Sequence, residues 1–399
     1  MITPGPRRLF RVAMVGAGEF PSPRGSQALM GGVARVLATR GHEVHLVTYA
    51  SRGAGLEPDG VRMHRPIGGG HGLPPGPGWG RLAEDFRLLV TLYRVVREQE
   101  VDLIHAHNYE AAIAACLVRG LTRAPVVYHA HNVLGDELPF YARTPTRRRW
   151  AGMAGRWLDQ VVPRRADYTI AMKPEVAEYL RSCQVAADRL GVIAPVIQDL
   201  PCRAEAVLPP GCTGRFVVTY AGNLDPYQDL HVLADGFGRF ADTSPGALLL
   251  IATHERGWRD RVPLRLLELV ERGLALVAVT EDLTLLSGWL GGSDVLVCPR
   301  PSWSGFPMKL FNYVAAGRPI LAAESSAAGL EGAMLRFPDG DGNAFAAILE
   351  RLRREPDLRR EMAGAAEAAG RRLADPALNA RAIEEVYEAI FRTGGATRE

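Results

Sequence analysis

Lysine is nearly missing from this chain. Of 47 basic residues in 399, only Lys173 and Lys309 are lysine, and every other cation is arginine. Cysteine is sparse as well. Cys116, Cys183, Cys202, Cys212 and Cys298 make an odd set with no C-x-x-C pair. That spacing argues against a disulfide framework and a zinc site, and fits a reducing compartment. No apolar run reaches the roughly 18 residues of a spanning helix, and the N-terminus has no apolar segment of signal-peptide type. A cytoplasmic protein is expected, with attachment to the inner face of a membrane as a further option. Charge of one sign is lacking too. The net charge of +3 gives no case for nucleic acid as a partner.

The chain has an ordinary apolar fraction of 47% and a charged fraction of 23%, enough apolar surface for buried cores. Its length predicts two domains. RVAMVGA (11–17), EVHLVTY (43–49), VDLIHAH (101–107), APVVYHAH (124–131) and ADYTIAM (166–172) read as strands, with weaker ones at 61–66 and 191–195. Helical spacing fills 27–40, 82–98, 109–119 and 174–182 between them. The Pro- and Gly-rich segment 199–214 breaks the rhythm and reads as a linker. Strands then recur at 216–222, 247–253, 274–279, 294–299 and 318–323, with helices at 228–240 and 308–316. Helical stretches at 343–372 and 376–392 follow. The predicted class is α/β, two tandem Rossmann-like doubly wound domains facing across a cleft. Residues 1–200 form the N-terminal domain and 201–379 the C-terminal domain. The last helix, 380–399, is expected to return to the N-terminal domain.

Gly16-x-Gly18 follows the first strand, but Pro21 stands where a dinucleotide fingerprint has its third glycine, and no acid ends the second strand. A nicotinamide site is therefore a poor fit. The turn at 21–27, with Arg24, Gly25 and Ser26, leads into a helix start whose N–H groups suit an anion or a sugar hydroxyl, or serves only as a strand-to-helix turn. His105 and His107 share one face of their strand, and His129 and His131 one face of theirs. No carboxylate or cysteine completes a metal set with them, so a polar or catalytic role at the strand ends is the better reading.

The stretch CPRPSWSGFPMKLFNYVAAGRP (298–319) is a strand, a glycine-containing loop and a helix start. The N–H groups of that start, the charge of Lys309 and nearby Arg300 together suit a phosphate. A solvated Lys309 is the plain alternative. The basic stretch 143–165 interleaves Arg143, Arg147, Arg148, Arg149, Arg156, Arg164 and Arg165 with Trp150, Met153, Trp157, Leu158 and Val161. Such a helix suits an anionic membrane surface. Packing of its tryptophan face onto the domain is the favoured reading from spacing alone.

The tandem domains, the two strands ending in HAH, ADYTIAM, YAGNLDPYQDL (220–230) and above all G-x-P-x-K-L-x-x-Y-x-A-x-G-x-P (305–319) carry a resemblance over nearly the whole chain. It resembles the retaining glycosyltransferases of the GT-B fold, in the large family 4, or group 1. The resemblance implies transfer from a nucleoside-diphosphate sugar, as co-substrate without a metal or other cofactor, to a saccharide, lipid-linked or natural-product acceptor. The pattern P-V-V-x-x-x-H nominates His131 as the residue lining the transferred sugar, and Lys309 and Arg300 at the leaving diphosphate. Gly222, Asn223, Gln228, Ser304, Gly305, Phe306, Pro307 and Asn312 fall at donor-binding positions. Four of these depart from the family pattern: Asn223 and Gln228 stand where it has Arg and Lys, Ser304 and Asn312 where it has glutamates. Arg24, Gly25, Ser26, His107, Asp136 and Glu137 are expected on the acceptor side. Asp136 and Glu137 read equally as loop or capping carboxylates. A non-catalytic nucleotide-sugar-binding subunit and a GT-B epimerase are the alternatives.

Overall fold

The computed structural model describes residues 8–22, 25–50, 58–68, 79–195, 205–326, 330–373 and 376–395. They fall into two compact units, one from 1–198 together with 375–399, the other from 199–374.

The first unit follows the β-α alternation of its sequence. In chain order it holds β1 (Arg11–Glu19), α1 (Gly25–Thr39), β2 (Glu43–Tyr49), β3 (Val61–His64), α2 (Trp79–Glu98), β4 (Leu103–His107), α3 (Tyr109–Thr122) and β5 (Val126–Ala130). Then come α4 (Leu134–Glu137), α5 (Pro145–Val161), β6 (Tyr168–Ala171), α6 (Pro174–Ser182) and β7 (Leu190–Val192). The sheet runs β3-β2-β1-β4-β5-β6-β7, and its paired strands are parallel. Its strand order reverses between β1 and β4, so the carboxyl ends of those two strands flank the crevice where doubly wound sheets take ligands. In register, Gly16 of β1 lies beside His107 of β4, and His107 beside His129 of β5.

The second unit holds β8 (Phe216–Ala221), α7 (Leu230–Thr243), β9 (Ala247–Thr253), α8 (Leu264–Glu271), β10 (Ala275–Val279), α9 (Leu283–Gly292) and β11 (Val295–Cys298). It continues with α10 (Lys309–Ala316), β12 (Ile320–Ala323), β13 (Leu335–Phe337), α11 (Gly342–Arg354) and α12 (Pro356–Leu373). Its parallel sheet runs β10-β9-β8-β11-β12-β13, with the switch point between β8 and β11. Val218, Tyr220, Leu249, Ile251, Val295 and Val297 pack one face of it against Leu233, Phe237, Phe345 and Leu349. Asp229, Asp282 and Asp341 cap α7, α9 and α11 through their carboxylates. Gly317 ends α10 in the left-handed conformation at φ 61°.

Two features differ from the expected elements. The stretch 343–372 is two helices, because Pro356 has no N–H and holds Glu355 off helical geometry at φ −109°, ψ 87°. Helices α4, α8 and α9 and strand β13 are additional to the predicted elements. The last helix, α13 (Pro376–Gly395), packs with the first unit. Its Glu384 accepts from Arg40 Nε at 2.7 Å and Nη2 at 2.8 Å, and its Tyr387 is fully buried.

Candidate active site

In the second unit the chain turns sharply after β8. Gly222 sits at φ 142°, a conformation that side-chain-bearing residues rarely adopt. A Cβ there would lie 3.2 Å from Nζ of Lys309, so glycine also lets that side chain approach the backbone. Lys309 is the first residue of α10. Its Nζ donates to Oε1 of Gln228 at 2.8 Å and lies 3.8 Å from the centre of the Tyr220 ring. Burial pushes its ammonium down to about 7, with the positive charge of Arg300 contributing.

The network continues from there. Gln228 Nε2 donates to Asn223 Oδ1 at 2.7 Å, and Asn223 Nδ2 to Tyr227 Oη at 2.9 Å. The guanidinium of Arg300 stands 5.0 Å from the centre of the Tyr227 ring and donates to Ser302 Oγ at 3.1 Å. Arg300 is 9% exposed, and among the described residues its Nε has no hydrogen-bond partner. Gly305 makes this packing possible, since a Cβ there would collide with the guanidinium at 2.2 Å. Ser304, Phe306 and Pro307 are buried, Phe306 stacking on Phe311 at 4.9 Å, and Asn312 is half-buried on α10. Thus Gly222, Asn223, Gln228, Arg300, Gly305 and Lys309 are gathered at the carboxyl ends of β8 and β11. The sequence reading passed over Tyr220 and Tyr227, whose rings hold the two cations.

In the first unit the four strand-end histidines form one buried cluster. His107 Nδ1 and His131 Nε2 are 2.9 Å apart, His105 Nε2 and His129 Nδ1 3.3 Å, and His105 Nδ1 and Tyr387 Oη 2.7 Å. Burial pushes all four rings below the usual histidine range, His129 to about 4, so they are neutral at pH 7. His105, His107 and His129 bring nitrogens within 4.8 Å of one another. Their planes are tilted by only 7° to 29°. Among the described residues His107 Nε2 and His129 Nε2 have no hydrogen-bond partner. The cluster holds the His131 ring through His107, and His107 itself is only 1% exposed.

The Gly16-x-Gly18 pair has a packing explanation. A Cβ on Gly16 would meet the Met30 sulfur at 2.3 Å, and one on Gly18 the Gln27 amide at 2.1 Å, so the glycines admit side chains of α1. Ser26 Oγ donates to Gln27 Oε1 at 2.7 Å, and Gly25 begins α1. Arg24 lies outside the described residues. Asp136 and Glu137 are half-buried in α4, whose N-cap, Val133, has no capping side chain.

Helix α5 turns the opposite way from the favoured expectation. Trp150, Met153 and Trp157 are 65%, 45% and 61% exposed, while Gly152, Gly155 and Asp159 form the buried side. The small residues pack because a Cβ on Gly155 would come within 2.4 Å of the Leu134 backbone. Among the described residues no helix is long and apolar enough to cross a membrane.

Comparison with known proteins decides what these halves belong to. Residues 23–198 match the Glycosyltransferase Family 4 model, and 215–355 match that of Glycosyl transferases group 1. The chain belongs to the family 4, group 1 glycosyltransferases. The enzyme is 23% identical over 390 residues to the phosphatidyl-myo-inositol mannosyltransferase of Mycobacterium leprae, covering 96% of this chain and 98% of that one. Its fold is GT-B. Sucrose-phosphate synthase from Thermosynechococcus elongatus superposes with a TM-score of 0.80 at 16% identity, over 97% of this chain and 100% of that one. Anabaena HepE in complex with UDP and glucose does so with a TM-score of 0.72 at 17% identity, over 95% and 100%. The glycosyltransferase therefore keeps the fold and domain order of its family.

Proposed function

We propose that this glycosyltransferase moves a sugar from a nucleoside-diphosphate sugar, with retention at the anomeric carbon, to a lipid-linked acceptor at an anionic membrane surface. The donor half rests on one observation above the others: Lys309 reaches the loop after β8 and meets Gln228 at 2.8 Å. The charge that the family pattern has at 228 is thereby supplied from 309. As the glycosidic bond breaks, negative charge grows on the leaving diphosphate. Lys309, Arg300 and the N–H groups at the start of α10 are suited to stabilise it. His131, neutral and held by His107, would contact the transferred sugar, leaving Asp136 and Glu137 for the acceptor. Nucleotide-bound relatives of the same fold, HepE with UDP-glucose among them, support a nucleotide-sugar donor.

Helix α5 supports the lipid side. Exposed Trp150 and Trp157 stand among Arg143, Arg147, Arg148, Arg149 and Arg156, the pattern of a helix lying in an anionic interface. The mannosyltransferase relative is named for a phospholipid acceptor. Product analysis with UDP-glucose and GDP-mannose against phosphatidylinositol and polyprenyl-phosphate-linked sugars in vesicles tests the reaction. NMR of the product reads the anomeric configuration. Flotation with phosphatidylglycerol vesicles tests the surface: the wild type should float and Trp150→Ala/Trp157→Ala should not. Inverted product stereochemistry rejects retention, and a wild type that stays unbound rejects the membrane site.

A further inference from the structure

One fully buried carboxylate of the first unit with four hydrogen-bond donors belongs to none of the residues singled out from sequence. Asp159 of α5 is fully buried. Its Oδ1 accepts from Tyr109 Oη at 2.5 Å and Leu134 N at 2.9 Å. Its Oδ2 accepts from Gly135 N at 2.9 Å and Tyr179 Oη at 3.0 Å. The donors come from α3, α4 and α6. An isolated carboxylate in such a place is costly unless its lone pairs are filled, and these four donors fill them. Two of the four are the first backbone N–H groups of α4, which Val133 leaves without a side-chain cap.

The segment so held begins at His131 and ends with Asp136 and Glu137. It is pinned twice. His107 holds the His131 ring at 2.9 Å, and Asp159 holds Leu134 and Gly135. Contact with α5 leaves no slack, since a Cβ on Gly155 would lie 2.4–2.6 Å from the Leu134 and Gly135 backbone, and one on Gly135 would lie 2.9 Å from Oδ2 of Asp159.

We propose that Asp159 is a positioning residue for the acceptor side: its carboxylate sets the path of His131–Glu137, and Tyr109 and Tyr179 orient that carboxylate. The role in turnover rests on reading His131 and the 136–137 carboxylates as facing sugar and acceptor. The chemistry makes a sharp test. Asp159→Asn keeps the size but leaves one accepting oxygen and turns an NH2 group toward N–H and O–H donors. Tyr179→Phe removes one neutral donor and leaves the carboxylate on both backbone N–H groups.

Hydrogen exchange of the full chain decides the structural part. In Asp159→Asn, amides of 132–141 should exchange at least tenfold faster, while β1, β4 and the second unit keep their rates. Tyr179→Phe should stay within about threefold of wild type. UDP affinity, read by calorimetry, should stay within twofold, since the four hydrogen-bond donors to Asp159 belong to the first unit. With the acceptor that turns over in the product assay, the acceptor KM should rise at least tenfold and the donor KM hold. Unchanged exchange at 132–141 overturns the proposal, as does acceleration spread evenly over the unit. Should Asp159→Asn fail to fold, Tyr109→Phe/Tyr179→Phe takes its place, with intermediate acceleration expected at 132–141 and none overturning it. Faster exchange at 132–141 with both KM values unchanged removes the acceptor-side role and the reading of 131–137 with it, while Asp159 keeps the segment.

Discussion

Nζ of Lys309 and Oε1 of Gln228 meet at 2.8 Å across 81 positions of sequence. The family pattern expected the lysine at the second of these positions. In this chain the glutamine there serves as the acceptor for a lysine arriving from α10, and Gly222 and Tyr220 shape the passage for it. The compact ammonium of lysine lies between the Gly222 backbone and the Tyr220 ring. One of only two lysines in the chain stands at this point.

The first prediction is a charge exchange. Lys309→Met should weaken UDP binding about 10- to 100-fold, the worth of one charge-assisted hydrogen bond. Adding Gln228→Lys to Lys309→Met returns an ammonium to nearly the same place and should recover at least tenfold of that loss. Calorimetric titration of the two variants checks it. A double variant no better than Lys309→Met would reject the idea that the two positions share one charge.

The second prediction concerns pH. The lysine ammonium is held at about 7 in the unliganded protein, and a bound diphosphate raises it. Binding above pH 7 must therefore take up a proton. UDP affinity should be flat with respect to this group below pH 7 and fall by up to about tenfold per pH unit above it. Titrations at pH 8 in buffers of different ionisation heat should show proton uptake in wild type and none at this site in Lys309→Met.

How much of this was legible beforehand varies with the kind of signal. The βα rhythm places almost every strand, because parallel strands buried on both faces are continuous apolar runs such as ALLLIAT. His105, His107, His129 and His131 gather on one face as alternation requires. Helix α5 misled for a physical reason. Its apolar stripe is the obvious face to bury, but Gly152 and Gly155 permit a backbone-to-backbone approach that large side chains forbid. Asp159 was visible in principle, as the single acid in the arginine-rich stretch 143–165. The partners that give it meaning, Tyr109 and Tyr179, are brought to it only by the fold. The same holds for Tyr387, 282 positions from His105.

The third prediction follows from the buried histidines. His129 is held near 4 when folded and returns to about 6.5 when unfolded. As pH falls below 6.5 the unfolded chain takes the proton first, so stability is present above that value and is lost progressively down to about 4. This one group accounts for roughly 3 kcal/mol of that loss. His129→Gln should make the pH dependence of urea unfolding between pH 6.5 and 4 shallower by about one proton. Equal slopes would show that His129 does not titrate as its burial requires.

The fourth prediction tests what fastens α13. His42 Nδ1 accepts from Phe10 N at 3.1 Å, so the ring proton sits on Nε2 and is donated to Glu384 Oε1 at 2.9 Å. Arg40 grips both oxygens of the same carboxylate. Glu384→Ala leaves the Arg40 charge and the His42 N–H facing a cavity, and a broken buried pair of this kind costs about 3–5 kcal/mol. Thermal unfolding should shift down accordingly, and α13 should become the first site of proteolysis. Replacing both ends, Arg40→Met with Glu384→Met, removes the stranded charge and should recover much of the loss. If the double variant is as unstable as Glu384→Ala, packing of Tyr387 rather than this ion pair fastens the helix.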